Sequence, residues 1–173
     1  QKILNLAYKW YAKAAEQGFA EAQFLLGGMY FAGQGMPKDY KMAFKWYTKA
    51  AEQGYTVAQF LLGVMYFAGQ GMPKDYKMAF KWYTKAAEQG FAEAQTFLGL
   101  MYNGEKGIPQ DYIKGHMWIN LSITQFKKNT FNTKVKNVAN RTINNFEKKM
   151  TPEQIAKAKQ LASQCYAKKF KGC

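Results

Sequence analysis

Apolar residues recur along the first two thirds of the chain at intervals of three and four, the spacing that lines one face of a helix. Over residues 56–69, Ala58, Leu62, Met65 and Gly69 keep that spacing, which predicts a helix with one buried face. The segment Gly69-Gln70-Gly71-Met72-Pro73 then breaks it. Two glycines free the backbone and a proline cannot continue a helix. A second helix is predicted to restart near Asp75, whose carboxylate can cap the first turn, and to run through Ala79, Trp82, Tyr83 and Ala86. Gly90, like Gly18 and Gly54, stands where the end of a helix favours a left-handed residue.

This two-helix unit repeats. Residues 46–81 copy residues 10–45 with five substitutions, Ala12/Thr48, Phe19/Tyr55, Ala20/Thr56, Glu21/Val57 and Gly28/Val64. A third copy starts at Trp82, and Trp118 falls 36 residues later. The same alignment makes residues 1–17 the second half of a unit, so the chain is expected to open mid-repeat. A period near 36 residues predicts an all-α stack of antiparallel helix pairs, because one pair cannot bury both its apolar faces alone. Ala14-Ala15, Ala50-Ala51 and Ala86-Ala87, with Gly27, Gly63 and Gly99, are expected to let neighbouring helices approach closely. Repeats are assigned to 1–125 and a C-terminal capping helix pair to 126–173. In that tail a loop is expected at 126–134 and a helix at 135–149. Thr151-Pro152-Glu153-Gln154 reads as the capped start of a last helix that turns Ile155, Ala158, Leu161, Ala162 and Cys165 inward.

Charge adds an asymmetry that periodicity does not show. Residues 1–109 hold 12 Lys and 8 acids, whereas residues 110–173 hold 12 Lys and one Arg against 3 acids. A positive field of that kind attracts acidic partners. Arg141, the only arginine, leaves no set of bidentate phosphate or guanine contacts, which argues against nucleic acid. Lys148, Lys149, Lys157 and Lys159 are the candidate basic surface. No stretch approaches the ~20 apolar residues of a membrane span. Cys165 and Cys173 have no His or Cys companions for a metal site, which leaves a disulfide or two free thiols; the disulfide is the expectation.

The string AEAQ..LG.MY..G.G..KDY..A..WY.KAAEQG, present at 20–54 and, with Thr56-Val57 in place of its first two residues, at 56–90, resembles the signature of the Sel-one-like repeat family, relatives of tetratricopeptide solenoids. The resemblance implies a right-handed α/α superhelix used for protein–protein contact, commonly in periplasmic or secreted bacterial proteins. MTPEQIAKAKQLASQC at 150–165 is similar to the helical tail that closes bacterial members. A cysteine-rich branch of the family carries disulfides at the C-x7-C spacing that Cys165 and Cys173 reproduce once, and penicillin-interacting activity has been attributed to it. An immunity protein that neutralises a secreted antibacterial toxin is a further function the resemblance implies.

Catalytic chemistry finds little footing. His116 is the only histidine and reads as structural, with no nucleophile at a suitable local spacing. The serine-x-x-lysine signature of penicillin-acylating enzymes is absent, since Gln125 follows Ser122 and Tyr166 follows Ser163 at that interval. The Gly-Gln-Gly loops lack the lysine-threonine sequel of a phosphate cradle, so they read as turns, and no catalytic residue, metal or cofactor is assigned. The better signal lies opposite the buried face of each first helix. As in related solenoids, that side should form a concave groove carrying Glu21, Phe24, Gly28 and Phe31, then Val57, Phe60, Val64 and Phe67, then Glu93, Thr96, Leu100 and Asn103. It is apolar where solvent would favour polar residues, as binding surfaces are. The competing expectation is that the same residues pack between units.

Overall fold

In a computed structural model describing residues 2–104, 106–128 and 133–173, the regular elements among the described residues are all helices. They are α1 (Lys2–Glu16), α2 (Ala20–Ala32), α3 (Tyr40–Glu52), α4 (Thr56–Ala68), α5 (Tyr76–Glu88), α6 (Ala92–Met101), α7 (Tyr112–Lys128), α8 (Thr133–Glu147) and α9 (Pro152–Ala167). The chain forms two compact units, Gln1–Trp82 and Tyr83–Cys173.

In the first unit the repeat shows as a repeated set of bonds. Helices α2 and α4 stop at Gly33 (φ 71°) and Gly69 (φ 73°), whose N–H groups donate to the Met29 and Met65 carbonyls. Gly69, which the spacing counts with the buried face, is therefore the cap one residue beyond the helix. Asp39 accepts from Met42 N at 3.0 Å and Asp75 from Met78 N at 2.9 Å, each satisfying an N–H that no turn of helix precedes. The same two residues donate their own N–H groups to the Tyr30 and Tyr66 carbonyls, tying the loop back to the helix before it. Gln23 and Gln59 are buried, and their side-chain amides donate to the Ala15 and Ala51 carbonyls at 3.1 Å. A helix C-terminus exposes carbonyls without partners, and the buried glutamine supplies one.

Packing follows the small residues. Trp46 sits against Ala15, Ala22 and Leu26, and Trp82 against Ala50, Ala51, Ala58 and Leu62. A Cβ on Gly27 would stand 2.7 Å from Tyr47 Cδ1, so the close approach expected there is real. Trp10, at the position equivalent to Trp46 and Trp82, is instead exposed, on the same face of α1 as exposed Ile3 and Leu6.

The second unit continues the scheme and then modifies it. Gln95 donates to the Ala87 carbonyl, and Asp111 caps α7 through Lys114 N at 2.9 Å. A Cβ on Gly99 would lie 2.7 Å from Ile119 Cγ1, and one on Gly115 2.6 Å from the Phe146 ring, so two helices press on α7 through glycine. Ile119, Ala139, Phe146, Met150 and Ala158 fill the core between α7, α8 and α9. Of the loop expected at 126–134, residues 126–128 complete α7, 133–134 begin α8, and 129–132 lie outside the described residues. Helix α8 starts and ends two residues before the expected 135–149. The start of α9 forms as the sequence reads: Thr151 Oγ1 accepts from Gln154 N, and Gln154 Oε1 accepts from Thr151 N at 2.9 Å.

Candidate protein-binding surfaces

Each first helix turns one side into the core and leaves the opposite side partly open. Ala22, Leu26 and Met29 are buried on α2, as are Ala58, Leu62 and Met65 on α4. On the other side Glu21 is exposed, and Phe24, Gly28, Phe31, Val57, Phe60, Val64 and Phe67 are half-buried. Their rings rest on aromatics of the neighbouring helices. Phe24 stacks on Tyr55 with centroids 5.0 Å apart and meets Tyr47 at 6.0 Å. Phe31 meets the edge of Tyr40 at 5.2 Å, and Phe67 that of Tyr76 at 5.3 Å. Packing between helices and exposure thus coexist on the same rings. Burial pushes the Tyr47 phenol up to about 12. The Tyr8 hydroxyl, 3.2 Å away, and then burial push Tyr30 to about 12.

In the second unit Glu93, Leu100 and Asn103 are half-buried, but Thr96 departs from the expectation. It is fully buried, and its hydroxyl donates to Ser122 Oγ at 2.9 Å, which in turn donates to the Ile119 carbonyl. A polar residue buried with a bonded partner belongs to the core, so Thr96 is not part of an open face.

The predicted basic residues are all exposed: Lys148 and Lys149 just past α8, Lys157 and Lys159 on α9. Lys149 reaches the Tyr112 hydroxyl at 3.3 Å with its ammonium over the ring. Cys165 and Cys173 are joined in a disulfide. His116 is fully buried, with Nε2 2.9 Å from Glu147 Oε1. That pairing was not legible in the sequence, because the two residues lie 31 positions apart on different helices. The glutamine bonds were closer to legible, since Gln23, Gln59 and Gln95 recur with the repeat. Among the described residues no group of three or more His, Cys, Asp or Glu could hold a metal ion, and no helix is long and apolar enough to cross a membrane.

Stacked helix pairs with a buried face, a capped loop and a half-open apolar side define a helical-repeat protein of the solenoid class. The family model described as Sel1 repeat matches residues 4–19, 20–55, 56–91 and 92–125, and the chain belongs to that family. Among solved structures it is similar to c5321, a protective antigen present in uropathogenic Escherichia coli strains that displays an SLR fold. There the TM-score is 0.78 at 36% identity, over 94% of this chain and 33% of that one. It is also similar to a Sel1 repeat protein from Oxalobacter formigenes, with a TM-score of 0.67 at 41% identity, over 69% of this chain and 49% of that one. The chain thus spans a third to a half of the length of these neighbours. No curated protein matches it. Proteins built from Sel1 repeats are generally scaffolds for protein–protein contact rather than enzymes.

Proposed function

We propose that this chain is a binding scaffold that holds a segment of another protein against the open side of α2 and α4. One observation carries the reading: Phe24, Phe31, Val57, Phe60, Val64 and Phe67 form apolar sides that are only half-buried. Rings seated on Tyr40, Tyr55 and Tyr76 are already ordered, so little rotamer freedom remains to be lost when a partner covers them. Four of the five substitutions between the near-identical repeats 10–45 and 46–81 also fall at residues 19–28 and their counterparts, around this side and its entrance. In the second unit, taken by itself, Glu93, Leu100 and Asn103 stand at the equivalent positions of α6. Helices α8 and α9, whose exposed faces are mostly polar apart from Val138 and Tyr166, serve as the closing pair. The lysines they carry favour an acidic partner.

The Cys165–Cys173 bond supports a periplasmic or secreted location, where a secreted toxin would be one partner to test. A penicillin-interacting activity gains no support from the serines: neither Ser122 nor Ser163 begins a serine-x-x-lysine signature, and Ser122 is buried with Thr96 and the Ile119 carbonyl as partners.

The test is site-specific photo-crosslinking in the native cell, with a photoreactive side chain at position 64 and a control at exposed Lys45 on α3. A discrete protein adduct from position 64 and none from position 45 is the expected result. Equal labelling from both positions, or none from 64, sinks the proposal.

A further inference from the structure

A cleft of about 420 Å³ opens between α7 and α9. Leu121 and Ala162, both buried, make its apolar floor, while Asn120, Thr124 and Ser163 bring amide and hydroxyl groups to its wall. Tyr166 stands at one end and is shared with an adjoining hollow of about 390 Å³ walled by Gln125, Lys169 and Phe170. The two cavities share Tyr166 as a wall and together make a trough, with Lys159 lining one half and Lys169 the other.

The far wall is held in an unusual backbone. Past α9, Lys169 (φ 52°) and Phe170 (φ 67°) are two successive non-glycine residues in the left-handed region. Side-chain-bearing residues adopt it rarely, and it persists only where surroundings hold it, often at ligand clamps. Three contacts do so here. The Cys165–Cys173 bond closes the turn. The Phe170 ring lies on Gly90, where an added Cβ would come within 2.7 Å of it. The same ring meets the edge of Tyr166 at 5.6 Å. The segment after α9 is thereby fixed as the wall of a trough.

Charge selects the occupant. Residues 110–173 carry 12 Lys and one Arg against 3 acids. Lys159 is exposed, and its ammonium stands 4.0 Å from Glu147 Oε1, at the outer limit of an ion pair; no ion pair is found for Lys169 among the described residues. A duplex or single strand would call for arginine forks or a row of stacking rings. Here a narrow apolar floor lies between amides and hydroxyls suited to an extended main chain.

We propose that the trough between α7 and α9 binds an extended acidic segment of a protein partner, with an apolar side chain on Leu121 and Ala162 beside Tyr166 and carboxylates at Lys159 and Lys169. The surface lies wholly in the second unit and does not depend on the reading given for α2 and α4.

The test pans the full chain, disulfide intact, against phage-displayed random dodecapeptides at low salt. Peptides with Asp or Glu on both sides of an apolar residue should be enriched. A fluorescein-labelled synthetic copy, followed by anisotropy, should bind at least about tenfold more weakly to Lys159→Glu/Lys169→Glu and to Tyr166→Ser. Lys45→Glu should leave its affinity unchanged, and circular dichroism should show all variants folded. Cys173→Ser, which frees the wall, should weaken it as well. No enrichment, enrichment of peptides without acids, or unchanged affinity in the double lysine variant overturns the proposal. So does a single-stranded oligonucleotide that displaces the peptide and binds the same lysines more tightly.

Discussion

At the scale of the residue, the two glycines at 27 and 28 have opposite roles. A Cβ on Gly27 meets the buried Tyr47 ring at 2.7 Å, whereas one on Gly28 finds only the Tyr47 hydroxyl at 3.6 Å, an ordinary contact. Alanine in a helix gains ~1 kcal/mol over glycine, but overpacking a fixed core ring costs ~1–3 kcal/mol. The net is ~0–2 kcal/mol against the variant, so Gly27→Ala should lower the melting temperature by up to ~8 °C, at ~2–4 °C per kcal/mol for a chain of this size, and Gly28→Ala should raise it slightly, as calorimetry will show. The natural Val64 at the position equivalent to Gly28 agrees with that direction. Tyr47 itself yields a pH prediction. Burial raises its pKa from 10.0 to about 12, so its contribution is intact below pH 10 and lost as pH rises through about 12. Tyr47→Phe should shift alkaline unfolding, followed by circular dichroism, to higher pH. Phe67 is half-buried on Tyr76, so Phe67→Ser should cost less than the ~3–5 kcal/mol of a fully buried ring and more than the ~0.5 kcal/mol of an exposed one. Repeat spacing made the Gly27 contact legible; Thr96 was not, because Ser122, which buries it, is 26 residues away.

At the scale of the element, most starts and stops could be read because the residues that cap a helix are its own neighbours in sequence. Asp39, Asp75 and Asp111 cap their helices from three residues away, and Gly33 and Gly69 end theirs in the left-handed region. The first turn of α9 offers the cleanest test. Thr151 is exposed, so Thr151→Ala should remove the capping box and the hydroxyl's bond to Glu153 with little loss of packing, and cost ~1 kcal/mol. Hydrogen exchange at the Gln154 amide should quicken in that variant. Glu153, in the same turn, has its carboxyl held below the usual range by the Thr151 hydroxyl and its own N–H. Its contribution is present above the ordinary carboxylate range and fades as pH falls through the lowered value, so acid should loosen this helix end. Helix α8 runs over Thr133–Glu147 rather than the expected 135–149. Glu147 Oε1 bonds to His116 on α7, and that long-range pairing coincides with the helix end.

At the scale of the whole molecule, the far-ultraviolet spectrum should be strongly helical without a strand component. Non-reducing peptide mapping should recover Cys165 and Cys173 in one cross-linked fragment. Closing so short a loop restricts the unfolded chain by ~2–3 kcal/mol in the loop-entropy view, so reduction should lower the stability of the second unit measurably. The sequence by itself determined the all-helical character, the 36-residue period, the caps and the buried side of α2 and α4, because all of these rest on neighbours a few residues apart or on the repeat. Tertiary structure alone decided which half of a ring stays open. Phe24 and Phe31 are apolar in either reading, and only the placement of Tyr40, Tyr47 and Tyr55 shows one side covered and the other exposed. It alone also decided that Thr96 and His116 are buried with partners, and that Phe170 closes onto Gly90. Those contacts join residues far apart in the chain, and one sequence carries no record of which distant side chains will meet.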